Sequence, residues 1–197
     1  MKNILILLIA VIIFTNCQNR QHINQNVITS DITNFWEAYD KITSTKDSIL
    51  QLKYLDSLYF QNGTVGLEGI RRARNYTLQD YINSINNYPK FWTSIRKNTL
   101  QAENLGLELE IGVNKLRTLY PELKPAKIYF SIGSFRTPGT TIDSLVLIGS
   151  ELAMADNKTE TSEFPESLAH LKSYFKTNPK KHLVFLNVHE YVHTQQN

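Results

Sequence analysis

Apolar residues recur at helical spacing through the first two thirds of the chain. Ile32, Phe35, Trp36, Tyr39 and Ile42 follow Ser30-Asp31, which offers an N-cap, so a helix opens there. A second starts near Asp47 with Ile49, Leu52, Leu55, Leu58 and Tyr59 inward, and stops at Asn62-Gly63. Val65 to Arg74 reads as a short helix, and Arg71, Arg72 and Arg74 at its end complement the helix dipole as solvated charges. Thr77 opens a helix with Tyr81, Ile82 and Ile85 inward; Pro89 opens the next, which carries Phe91, Trp92, Ile95 and Leu100. Phe35-Trp36 and Phe91-Trp92 are expected as core anchors. A further helix covers about residues 105–120, with Leu107, Leu109, Ile111, Val113, Leu116 and Leu119 apolar.

The period then changes. Residues 126–133 and 143–149 read as strands, separated by loop chemistry from Ser134 to Thr141, and are expected to pair as an antiparallel ribbon. A sheet edge at Leu145–Ile148, beside the last helix, would suit an extended peptide. Residues 150–163 are polar and read as an exposed loop. Phe164-Pro165 introduces a short helix with Leu168, Leu171 and Phe175, and Thr177-Asn178-Pro179 stops it and restarts the chain, with Asn178 as N-cap of the final helix. The predicted fold class is therefore α+β and predominantly helical: a helical N-terminal half, a short antiparallel β-ribbon, then a C-terminal helix.

That last helix carries His189-Glu190-Tyr191-Val192-His193, an H-E-x-x-H motif in an apolar run without Gly or Pro. Residues four apart share a helix face, so both imidazoles suit one Zn²⁺. Glu190 projects beside them and is placed to take a proton from a water that the metal acidifies. His189 and His193 are thus the candidate metal ligands and Glu190 the candidate general base. The other histidines fit less well. His22 falls in a polar stretch, His170 reads as a structural histidine, and His182 lies two turns before His189, too far to share an ion. Glu151, Asp156, Glu163 and Glu166 are weak candidates for a third ligand, because sites with this motif draw it from downstream.

The chain opens with Lys2 and an unbroken apolar run, Ile4 to Phe14, too short to span a bilayer as a helix. Cys17, the sole cysteine, follows directly, which excludes an intramolecular disulfide and predicts lipidation. Residues 1–16 then form a lipoprotein signal peptide, 17–29 a polar tether, and 30–197 a single domain. A formal charge of +3 over 197 residues is too mild to indicate nucleic acid as a partner.

The lipobox-like leader, the segment from Pro89 to Leu100 and the terminal motif resemble Bacteroidota envelope lipoproteins. These are predicted zinc-dependent proteases related to the gliding-motility lipoprotein B group. The resemblance implies a zincin-like metallopeptidase domain, Zn²⁺ on His189 and His193, Glu190 as base, and a peptide or protein substrate. It also implies a lipid anchor in the bacterial envelope, on the periplasmic side of the outer membrane. Chains of that family continue past the motif into helices where an acidic residue completes the site. Here only Thr194 to Asn197 follow, so the C-terminal part of the domain is expected to be missing and these residues to fray. The other class of function open to such a chain is a non-catalytic, zincin-like structural lipoprotein of an envelope or motility machine.

Overall fold

A computed structural model describes residues 26–177 and 183–195. The predicted leader, Cys17, the tether up to residue 25, His22, His182 and the Asn178-Pro179 restart lie outside these residues. The described chain is α+β: helices account for 61%, around one four-stranded mixed sheet.

Local chemistry explains most helix starts. Helix α2 (Ser48–Tyr54) is capped by the Asp47 carboxylate, which accepts from Ile49 N and Leu50 N. Helix α3 (Val65–Arg74) is capped by Thr64 and ends on Asn75 in the left-handed region. Helix α4 (Leu78–Asn87) has a Thr77/Asp80 capping box, and α5 (Pro89–Thr99) begins on its proline. Helix α1 (Ser30–Thr43) departs from expectation. Its N-cap is Thr29, without a side-chain bond, and Asp31 turns into the core. There it accepts from Thr64 N (2.9 Å), Thr64 Oγ1 (2.7 Å) and Ser131 Oγ (2.9 Å), which ties three elements together at one buried carboxylate. Burial raises its pKa, and those three hydrogen bonds oppose the rise.

After Tyr54 the second helix widens into a π-helical segment, Leu55–Phe60. Within it Tyr59 is fully buried, and its hydroxyl donates to Ile132 O (2.7 Å) and accepts from Ile132 N (2.8 Å). Ile49, expected inward, is exposed. The aromatic anchors are where the pattern put them. Phe35, Trp36, Phe91 and Trp92 are buried and in ring contact, with Phe35 and Trp92 centroids 5.0 Å apart. Phe135 joins them at 4.9 Å from Phe91, on a residue with φ of +63°.

The sheet corrects the predicted ribbon. Its strands are β1 (Val27–Ile28), β2 (Lys127–Ser131), β3 (Gly139–Ile142) and β4 (Leu145–Gly149), in the order β1-β2-β4-β3. Strands β2 and β4 pair parallel, Lys127 opposite Leu145 and Ser131 opposite Gly149. The antiparallel partner of β4 is β3, joined to it through Asp143-Ser144. Asp143, with φ of +50°, takes the left-handed conformation that two-residue hairpin turns use. Strand β4 is therefore interior and β3 is the edge. Helix α3 lies close on the sheet, where a Cβ on Gly66 would run into the Tyr129 side chain. At the opposite edge, Glu110 of helix α6 (Ala102–Leu119) accepts from Val27 N (2.7 Å) and Asn26 Nδ2 (2.9 Å). Leu109 and Val113 of α6 are buried, but Leu107, Ile111 and Leu119 face solvent, contrary to the uniform apolar reading.

The stretch read as an exposed loop also differs. Residues Ser150–Ala153 form a short helix, α7, and run on buried from β4. Glu151 in it is fully buried and accepts from Gly133 N (2.8 Å) and Phe135 N (3.2 Å). It holds the loop between β2 and β3. Helix α8 (Ala169–Thr177) runs to the last residue described before position 178 and buries Leu171 and Phe175. His170 on it is exposed rather than a buried structural histidine. The last helix is α9 (Leu183–His193).

Candidate metal centre

Helix α9 packs on α6 and also touches β3 and β4. The approach to α6 is close because Gly112 faces it: a Cβ there would lie 3.0 Å from Val188 Cγ2. Asn187, Tyr191 and Thr194 form the inner stripe and are buried. At 100° per residue, His189 and His193 lie roughly half a turn from that stripe. Accordingly His189 is exposed and Glu190 and His193 are half-buried. The helix lies on the surface of the described residues and turns the two histidines outward while Tyr191 of the same motif is buried.

The two imidazoles converge. His189 Nε2 and His193 Nε2 are 3.0 Å apart, and the rings meet edge to face with centroids 4.7 Å apart. Two nitrogens on one tetrahedral zinc, each at about 2.05 Å, would be separated by about 3.3 Å. The pair thus needs only a few tenths of an ångström to chelate one ion, and the fit as two ligands is good. Glu190 follows His189 directly, about 100° further round the helix, and is half-buried.

The structure does not bring the upstream carboxylates here. Glu151 is committed to Gly133 and Phe135, and burial pushes its pKa up to about 7. Asp156 accepts from Lys158 N (2.9 Å) and Asn98 Nδ2 (3.2 Å). Glu163 accepts from Lys90 N (2.8 Å), at the start of α5. Among the described residues no cluster of three or more His, Cys, Asp or Glu side chains is placed to hold a metal.

Three side chains that the sequence reading did not single out bond the motif segment to its surroundings. The Tyr191 hydroxyl accepts from Ala126 N (2.9 Å) and lies 3.4 Å from Lys124 O and 3.5 Å from Arg117 Nη2. Gln195 accepts from Lys124 N through Oε1 (2.7 Å) and donates to Lys124 O through Nε2 (3.2 Å). Thr194 closes the last turn, donating from Oγ1 to Tyr191 O (2.6 Å). The helix ends at His193, and Thr194 and Gln195 in the turn after it both find partners; Gln196 and Asn197 lie outside the described residues. The available signal was helical phase, which sets Tyr191 opposite the histidines. Compared with known protein families, characterised proteins and solved structures, the chain matches none.

Proposed function

We propose that this protein is a zinc-dependent peptidase with a zincin-like domain, tethered to a bacterial envelope membrane through a lipid on Cys17. The observation that carries the reading is the convergence of His189 and His193, Nε2 to Nε2 at 3.0 Å on the outward side of the helix, with Glu190 directly after the first histidine in sequence. A scaffold has no need of a carboxylate at that position. Bound zinc would supply a Lewis acid for a peptide carbonyl and for water. His189 and His193 would hold it, a third donor would complete its shell, and Glu190 would take the proton from the attacking water and pass it to the departing amine. The substrate is an extended peptide, and the sheet edge offered to it is β3, not β4.

The test is zinc content and peptide hydrolysis by the whole protein and three variants. His189→Ala and His193→Ala should each lose the metal. Glu190→Gln should keep the metal and lose hydrolysis by about 10²-fold or more, the scale of general-base catalysis. Zinc content unaffected by the histidine substitutions would overturn the metal reading. Histidine-dependent zinc without any Glu190-dependent hydrolysis would favour the structural lipoprotein instead.

A further inference from the structure

Strand β3 is an outer strand of the sheet, and alternate residues turn their backbone groups to opposite sides of it. Gly149 N donates to Pro138 O (3.1 Å), so in this antiparallel pair the backbone groups of Thr140 and Ile142 also turn toward β4. Those of Gly139 and Thr141 therefore turn outward. One hydroxyl already takes both outward groups of Gly139: Thr137 Oγ1 donates to Gly139 O (2.6 Å) and accepts from Gly139 N (3.2 Å). No side chain among the described residues is bonded to those of Thr141, and β3 is half-exposed along its length. An added strand thus finds Thr141 to pair with and cannot continue the ladder toward the start of β3.

A cation stands where that pairing stops. Arg74, the last residue of α3, brings Nη2 to 3.4 Å from the same Thr137 Oγ1. Its Nε is buried without a hydrogen bond, and no carboxylate among the described residues pairs with it. Arg71 and Arg136 differ in this respect, since each is matched at 3.1 Å, by Glu68 and by Asp80. From this geometry we propose that the β3 edge binds the C-terminal end of an extended peptide, one peptide residue pairing with Thr141 and the terminal carboxylate resting on Arg74. The inference rests on the reading of the substrate as a peptide on β3, and it names which part of that peptide is held.

Thr141 offers an added strand one N–H and one C=O, the bonds by which an edge captures a peptide. In an antiparallel strand, the peptide residue two positions further on lies opposite Gly139, where the Thr137 hydroxyl leaves no ladder bond to make. An interior peptide residue there would leave its own amide and carbonyl unpaired, which costs free energy. A peptide that ends there brings a carboxylate instead. A guanidinium with an unbonded Nε and no acidic partner is suited to receive it through paired, charge-assisted hydrogen bonds. The antiparallel direction also sends the N-terminal side of the peptide toward Ile142. By register Ile142 pairs with Leu145 and Leu145 with Lys127, which follows the Ala126 amide bonded to Tyr191 of α9. The rest of the peptide thus extends toward the helix that carries the H-E-x-x-H motif.

The probe is a mixture of pentapeptides, randomised at every position and labelled with fluorescein at the N-terminus. It is used as the free acid, as the C-terminal amide, and as the amide with Glu fixed in last place. Fluorescence anisotropy reads binding to the whole protein, and urea midpoints check that each variant folds. The free acid should bind about tenfold or more tightly than the amide, the scale of a charge-assisted pair. Arg74→Gln should erase that difference, and Arg74→Lys, which keeps the charge but not the fork, should fall between. Thr141→Pro removes the outward N–H without touching the pairing to β4, as an edge strand tolerates, and should abolish binding of the free acid. Thr137→Val frees Gly139, lets the ladder run on, and should strengthen the amide relative to the free acid. Free acid and amide binding alike, or a preference that survives Arg74→Gln, would overturn the end capture alone, provided that Thr141→Pro still abolishes binding. A Glu-ended amide that binds as well as the free acid would overturn it in favour of an acidic side chain. Binding indifferent to Thr141→Pro would overturn the β3 substrate reading and this inference together. Failure of all three mixtures to bind would do the same, and a dimer lost in Thr141→Pro would then name a second copy as the occupant.

Discussion

Glu151 gives the fold a measurable pH signature. Its carboxylate is fully buried, and desolvation outweighs the backbone N–H groups of Gly133 and Phe135 that favour the charge, so its pKa stands at about 7 against an ordinary 4.5. A folded-state pKa above the unfolded one means that the native protein binds the proton more tightly. The stability contributed is complete below pH 4.5 and is lost as pH rises through 7. A shift of about 2.5 units corresponds to about 3.4 kcal/mol, of which about 2.5 kcal/mol disappears between pH 5 and 8. Asp31 adds in the same direction, whereas Asp40 and Asp80, with lowered pKa values, act oppositely. The clean quantity is therefore a difference between two proteins. Glu151→Gln keeps the shape and one good acceptor but cannot ionise. At pH 5 it should match wild type to within about 1 kcal/mol, since a protonated glutamic acid also presents one acceptor oxygen. By pH 8 its unfolding free energy relative to wild type should have risen by about 2.5 kcal/mol. Urea titrations of both proteins at pH 5, 6, 7 and 8 measure this. A difference that stays flat, or that moves against glutamine as pH rises, would refute the reasoning. It would mean that the N–H groups of the loop stabilise the charge more than burial penalises it.

Two further outcomes follow from other parts of the chain. Gly66→Ala should destabilise the protein by about 1–3 kcal/mol despite alanine's better helix propensity, because its Cβ would meet Tyr129; Gly69→Ala, whose Cβ would lie 3.2 Å from Leu147 Cδ1, should cost less. Equal urea midpoints for wild type and Gly66→Ala would show that α3 can lift off the sheet freely. If Cys17 is lipidated, the expressed protein should enter the detergent phase and Cys17→Ser should stay out of it or keep its leader. Detergent partitioning unchanged by that substitution, with a cleaved and lipid-free N-terminus, would sink the anchor.

Where local chemistry decides an element, the sequence was sufficient. Asp47, Thr77 and Pro89 start helices through their own side chains, and the paired aromatics could only be buried. The sheet was harder because strand pairing is not local. Gly139-Thr-Thr-Ile142 has no apolar alternation and sits half-exposed, so it looked like loop, and the hairpin turn at Asp143-Ser144 was absorbed into the next strand. Yet the nearly continuous apolar runs of β2 and β4 carry the mark of strands covered on both faces, which parallel central strands are. Glu151 was misread for a related reason. A glutamate after a strand looks solvated unless one knows that the amides of Gly133 and Phe135, far back in sequence, need an acceptor. At the site, the spacing of His189 and His193 was legible because it depends only on helix geometry. The anchorage through Tyr191 and Gln195 was not, since their partners lie more than sixty residues away.

The carboxylate that Glu110 lays along β1 has a consequence for how copies of this protein can meet. A sheet with two open edges can be joined at both, and such contacts repeat without end into fibres. Here one margin offers, among the described residues, only Val27 and Ile28, and the outward Val27 amide is already taken. A neighbour arriving there would have to displace a bonded charge to gain a strand of two residues. Among the described residues the β3 margin remains for pairing, and two molecules that met edge to edge through β3 would exhaust each other. Through the described strands such an assembly would close as a pair, and β-mediated growth would stop at its second step.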